Sequence, residues 1–132
     1  MVTGCSGFEA SRAQSEAIRS FNARDYQQAA DTLNKAISLE PENSTYYLNR
    51  SAAYREMGQF QQAKDDTDRA VQLAPNTPLV YDARGVNEDL LCNYQQAIAD
   101  YDEGLKIVES SRPGHNNEIA IELLYLGNLC TS

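Results

Sequence analysis

Tyr26-Gln27-Gln28-Ala29, Phe60-Gln61-Gln62-Ala63 and Tyr94-Gln95-Gln96-Ala97 are near-copies of one stretch, and they recur every 34 residues. A fixed period of this size marks stacked repeats and settles the fold before any propensity is counted. It also bounds function. Repeats of this kind build an extended surface rather than an enclosed catalytic pocket.

Other positions keep the same phase. Ala17, Ser51 and Gly85 form one set of small residues, and Ala36, Ala70 and Gly104 a second. Leu39, Leu73 and Ile107 recur as aliphatics, with Pro41 and Pro75 following the first two. Each unit reads as two helices. The spacing predicts first helices over about 10–23, 44–57 and 78–91, and second helices over about 26–39, 60–73 and 94–108. In unit one, Tyr26, Ala29, Ala30, Leu33, Ala36, Ile37 and Leu39 make an apolar stripe at helical spacing. The small residues let two helix backbones approach closely. Pro41 lacks an N–H and disfavours helix at Glu40, so it ends one helix and turns the chain; Pro75 repeats that role. Gly58 punctuates the turn inside unit two, where Arg24 and Cys92 stand in the other units. Asn43 or Ser44, and Thr77, are the expected N-caps of the next helices.

This pattern resembles the tetratricopeptide repeat family over about residues 10–109. The likeness is strongest in the second unit, at Tyr47, Arg50, Ser51, Tyr54, Gly58, Phe60, Ala63, Ala70 and Pro75. Unit one departs at Glu16 and Ser20, and unit three at Glu88, Gly104 and Glu109. The resemblance implies an all-α fold, a right-handed superhelical stack of antiparallel helix pairs with about seven helices. It places units at about 10–43, 44–77 and 78–111, after a flexible start over 1–9. The seventh helix is expected over about 117–130, where Leu123, Leu126, Gly127 and Cys130 resemble the first helix of another repeat. It reads as a cap covering the apolar face of the last unit, or as the opening of a longer array. The linker at 110–116 holds a Pro-Gly pair that marks a loop.

Composition narrows the function. Lys plus Arg number 11 and Asp plus Glu 19, for a net charge of −8. That opposes nucleic acid, whose affinity rests on neutralising phosphates, and equally opposes anionic lipid. It fits a protein partner with basic character. No run of about 18 apolar residues is present, so no membrane span is expected. Cys5, Cys92 and Cys130 are odd in number and widely spaced, which suits free thiols in a reducing, cytoplasmic setting. One feature points elsewhere: Val2-Thr3-Gly4-Cys5-Ser6 resembles a bacterial lipobox, and a signal segment removed before Cys5 would make the protein a lipid-anchored envelope factor.

Chemistry-bearing constellations are sparse. His115, the only histidine, lies in the Pro-Gly loop, and no Cys/His spacing suits zinc. Asp100, Asp102, Gly104 and Glu109 resemble a calcium loop, but the glycine comes one place early and a third acidic ligand is missing. They read as a solvated helix face. No glycine-rich phosphate loop and no nucleophile elbow occur. The expectation is a non-enzymatic protein–protein interaction module with no catalytic residue, cofactor or metal.

In the resembled family the first helices line a concave groove. By register that groove takes Gln14, Ile18, Phe21 and Asn22 from unit one, and Leu48, Asn49, Ala52 and Arg55 from unit two. Unit three supplies Leu79, Asp82, Val86 and Asp89, beside Ala83 and Leu90, and the last helix Leu124, Tyr125 and Asn128. The family's best-known ligand is a chaperone's acidic C-terminal peptide, held by a two-carboxylate clamp of lysine, asparagine and arginine. The corresponding residues here are Gln14, Ile18, Asn49, Leu79 and Ala83, of which only Asn49 matches. Arg55 and Arg84 are partial substitutes. With an apolar floor and Glu56, Asp82 and Asp89 nearby, the expected ligand is a partner peptide with apolar anchors and a Lys or Arg. Asn49 and Arg55 are the expected hydrogen-bond donors to it. A chaperone-binding co-chaperone adaptor is the alternative. The end at 127–132 is a candidate surface for self-association.

Overall fold

Arg24, Gly58 and Cys92 stand at φ of 64°, 76° and 64° in the computed structural model of the protein, which describes residues 3–111. Each closes a helical hairpin. The first joins α1 (Thr3–Asn22) to α2 (Tyr26–Leu39), the second α3 (Ser44–Glu56) to α4 (Phe60–Leu73), and the third α5 (Pro78–Leu90) to α6 (Tyr94–Ser111). The hydrogen bonding is the same each time. Arg24 N–H donates to Phe21 C=O and Asp25 N–H to Ser20 C=O; the bonds Gly58–Arg55 and Gln59–Tyr54, then Cys92–Asp89 and Asn93–Glu88, repeat them. This paired closure, with a left-handed residue just past the helix, satisfies carbonyls that the helix end leaves unpaired.

Among the described residues every regular element is an α-helix, as the period requires. They fall into two compact units, residues 1–73 carrying α1–α4 and residues 74–132 carrying α5 and α6. Five helices begin and end within a few residues of the expected positions. α1 differs, starting at Thr3 rather than near Ala10, so residues ahead of Ala10 continue the helix. The caps are assigned by geometry: Asp25 Oδ1 accepts from Gln28 N–H at 3.2 Å, and Asn43 Oδ1 from Thr45 N–H at 3.1 Å. Thr77 makes no side-chain capping bond; Pro78 follows it in the first turn, where a missing N–H costs nothing. The expected seventh helix, with Leu124, Tyr125 and Asn128, and also His115, Cys130 and the end at 127–132, lie outside the described residues.

In the first unit, Ala10, Ala13 and Ala17 of α1 bury one narrow stripe against Leu33 and Ala36 of α2 and Tyr46 of α3. A second cluster joins Ala29 and Ala30 of α2 to Ala53 of α3, with Phe21, Tyr26, Tyr54 and Met57 packed against it. Phe21 meets Tyr26 edge to face, centroids 5.1 Å apart, a geometry worth about 1 kcal/mol beyond area burial. The opening tetrapeptide is therefore scaffold: Ala29, Ala63 and Ala97 are buried, while Gln27 and Gln61 lie on the surface and donate to Asp31 and Asp65.

The small residues at 17, 51 and 85 are needed for close approach. Ala17 is buried, and Ser51 Oγ donates to Ala63 C=O at 3.0 Å. A Cβ on Gly85 would stand 2.6 Å from the Tyr101 ring. Two ion pairs also keep the period. Arg50 donates from Nε and Nη2 to Asp66 at 2.9 and 2.6 Å, and Arg84 from Nε and Nη2 to Asp100 at 3.1 and 2.7 Å. Each guanidinium lies near aromatic rings: Arg50 is 5.7 Å from the Tyr47 centroid and 5.6 Å from Tyr54, and Arg84 is 5.9 Å from Tyr81. The hydroxyls of Tyr47 and Tyr81 donate to the carbonyls of Pro41 and Pro75, both at 2.8 Å. Unit one of the repeat has Glu16 and Thr32 at the ion-pair positions, so it lacks the bridge.

Candidate functional site

Ala17 and Ala29, two of the alanines that bring α1 and α2 together, also leave space beside them. With Ala52 of α3 they border an open apolar cleft of about 120 Å³ in the first unit. Ile18 and Phe21 of α1, Leu33 of α2 and Asn49 of α3 complete its lining. Ile18 is 48% exposed, whereas Phe21 is half-buried, held by its contact with Tyr26. Asn49 supplies the one polar side chain in the lining, and it has no side-chain hydrogen bond among the described residues. Its neighbour Arg50 is turned away, committed to Asp66 and, through Nη1, to Asn34 Oδ1 at 2.7 Å.

The sequence-derived candidates divide accordingly. Ile18, Phe21, Asn49 and Ala52 come together at the cleft. Gln14, Asn22, Leu48 and Arg55 stand on the same helices without lining it. In the second unit, Leu79, Asp82, Val86 and Asp89 lie on α5; Leu79 is 60% exposed, and Val86 and Leu90 are open to solvent. Asp82 is exposed as a residue, yet its Oδ1 lies 3.1 Å from where a Cβ on Gly104 would stand. Burial raises its carboxyl above the ordinary carboxylate range. That side chain thus leans on α6 instead of standing free. Arg84, a candidate substitute cation, is held by Asp100.

Register leaves two features unshown. Ala17, Ala29 and Leu33, close-packing positions in the sequence, border the cleft as well. The Arg50–Asp66 and Arg84–Asp100 pairs are the second, although Arg and Asp both recur after 34 residues at those places, and that recurrence is their signal in the sequence. Burial raises the Asp66 carboxyl, and the bonds from Arg50 oppose it; the same bonds raise Arg50 above its ordinary value. Asp100, read as part of a calcium-like run, is buried and taken by Arg84, and Asp102 lies 3.8 Å from Lys106. Among the described residues no group of His, Cys, Asp and Glu could hold a metal, and no helix is long and apolar enough to cross a membrane.

Comparison with known proteins agrees with the helical-repeat fold. Residues 44–77 match the tetratricopeptide repeat family. The small glutamine-rich tetratricopeptide repeat-containing protein 2 of Mycosarcoma maydis is 35% identical over 51 residues, which are 39% of this chain and 14% of that protein. The chain thus matches only a small part of that relative's length. Among solved structures, the TPR2B domain of yeast Sti1 in its pHsp70 complex superposes with a TM-score of 0.81 at 22% identity, over 92% of this chain and 98% of that one. The first TPR of Spaghetti (RPAP3) bound to the HSP90 peptide SRMEEVD gives 0.78 at 25% identity, over 94% of each chain. Residues 44–77 thus carry a tetratricopeptide repeat, and the hairpins before and after it keep the same 34-residue phase and the same helical-repeat fold as these solved structures.

Proposed function

We propose that the protein is a non-catalytic interaction module that takes up a segment of a partner protein in the cleft between α1 and α3. The observation that carries this reading is the convergence of Ile18, Phe21, Asn49 and Ala52 on one open apolar cleft. An apolar side chain of the partner enters it, and the Asn49 amide bonds to the partner's main chain. The net charge of −8 favours a segment that also carries Lys or Arg. The test is titration of a library of basic-apolar peptides against the protein and against an Asn49→Ala variant. Loss of about tenfold or more in affinity is expected from the variant. Equal binding by both proteins would refute the reading.

A second reading, a chaperone adaptor, is supported by two solved relatives of the same fold that carry Hsp70 or HSP90 peptides. Asn49 also stands at the one clamp position that matches. Against it, the remaining clamp positions hold Gln14, Ile18, Leu79 and Ala83, none of them cationic. Titration with the peptide SRMEEVD separates the two: saturable binding that Asn49→Ala weakens would favour the adaptor.

A further inference from the structure

Five arginines and no lysine stand on the first helices of the three hairpins: Arg12, Arg19, Arg50, Arg55 and Arg84. None of them lines the cleft. Arg50 and Arg84 are bound within the fold by Asp66 and Asp100, Arg12 lies 3.7 Å from Glu16, and Arg19 and Arg55 stand on α1 and α3 outside the lining. A terminal carboxylate needs converging cations or several N–H donors to replace its water. The cleft offers it one neutral amide. The cleft is open on one side and of about 120 Å³, the scale of one aliphatic side chain, and its floor of Ala17, Ala29 and Ala52 under Phe21 is shallow.

Resting on the module reading above, we propose that the cleft is a single-side-chain pocket for an internal segment of the partner, anchored by one leucine, isoleucine or methionine. The segment is read without its chain end. Asn49 offers an amide donor and an amide acceptor, which pair with one peptide group of a continuous main chain. Specificity lies in the size of the anchor, bounded by Ala17, Ala52 and Phe21, and in a flanking basic residue drawn to the acidic protein.

The test uses the full chain and N-acetylated heptapeptides with Gly, Ser and Lys flanks around a central Leu, Met, Phe or Ala. Each is made as the C-terminal acid and as the amide, and binding is read by NMR from the methyl groups of Ile18 and Ala52. The Leu and Met peptides are expected to move both methyls. Their acid and amide forms should agree within about threefold, with the Ala peptide weaker by about tenfold or more and the Phe peptide weaker than Leu. An acid form about tenfold tighter than its amide, or a Phe peptide tighter than Leu, overturns the proposal while the module reading stands. Binding that leaves Ile18 and Ala52 unmoved does the same. If neither this series nor the basic-apolar library binds at all, the module reading itself falls. Ala52→Val, checked for folding by its thermal melt, should exclude the Leu peptide; undiminished binding to that variant also overturns the pocket.

Discussion

Arg50 and Asp66 form a two-point ion pair between α3 and α4, with bonds of 2.9 and 2.6 Å to a buried carboxylate. Removing one partner strands the other in a poorly solvated place, whereas removing both leaves only a packing change. Arg50→Ala and Asp66→Ala should each lower stability by about 3 kcal/mol. The double variant Arg50→Met/Asp66→Leu should lose far less than the two single changes together. Urea unfolding of the four proteins checks this, and additivity of the single losses would contradict it.

Gly85 faces the Tyr101 ring, and an added Cβ would come within 2.6 Å of it. Alanine is the better helix former by about 1 kcal/mol, so propensity alone predicts a gain. The ring, wedged between α5 and α6, decides the sign instead. Gly85→Ala is expected to destabilise by about 1–3 kcal/mol, and Tyr101→Leu in the same chain to recover much of that loss. A rise in thermal stability for the single variant would show the ring free to move.

Cys92 occupies a left-handed backbone position that Gly58 fills in the preceding repeat. A side chain there costs roughly 1 kcal/mol, so Cys92→Gly should stabilise by about that amount, and Arg24→Gly similarly. Denaturation midpoints measure both. An unchanged or lower midpoint for both variants would mean that these turns relax out of the left-handed region.

The Tyr46 hydroxyl donates to Glu40 Oε1 at 2.7 Å. Burial first, and then the Glu40 carboxylate, push its pKa up to about 12 from an ordinary 10.0. Because the folded value lies above the unfolded one, this group's contribution to stability is complete below about pH 10 and is lost as pH rises through about 12. Glu40→Gln keeps an acceptor and removes the charge, so the Tyr46 pKa should fall part of the way. Tyrosinate absorbance, with Tyr46→Phe as the reference, reports the change. An unmoved value would assign the whole shift to burial.

Periodicity reached the fold because each repeat writes its packing into the same residues. Ala29, Ala63 and Ala97, Pro41 and Pro75, and the turn positions 24, 58 and 92 are readable without coordinates. The start of α1 was not, since residues ahead of Ala10 add no apolar stripe and a helix there rests on weak local preference. The site was half legible. Helical register gives the direction of Ile18, Asn49 and Ala52, but not depth, and by direction alone Gln14 and Leu48 are indistinguishable from them. Asp82 shows the same gap: it lies on the expected helix, and the missing Cβ of Gly104 lets its carboxylate settle against α6.

A single guanidinium touches two hairpins of the first unit. Arg50 holds Asp66 of its own hairpin through Nε and Nη2, and Asn34 of the preceding one through Nη1. Opening either hairpin by itself would break part of this junction and expose a charge that the other still depends on. In the language of linear arrays, this is a nearest-neighbour coupling term carried by one side chain. The first unit should therefore exchange its slowest amides as one cooperative block, α1–α2 with α3–α4, instead of fraying repeat by repeat.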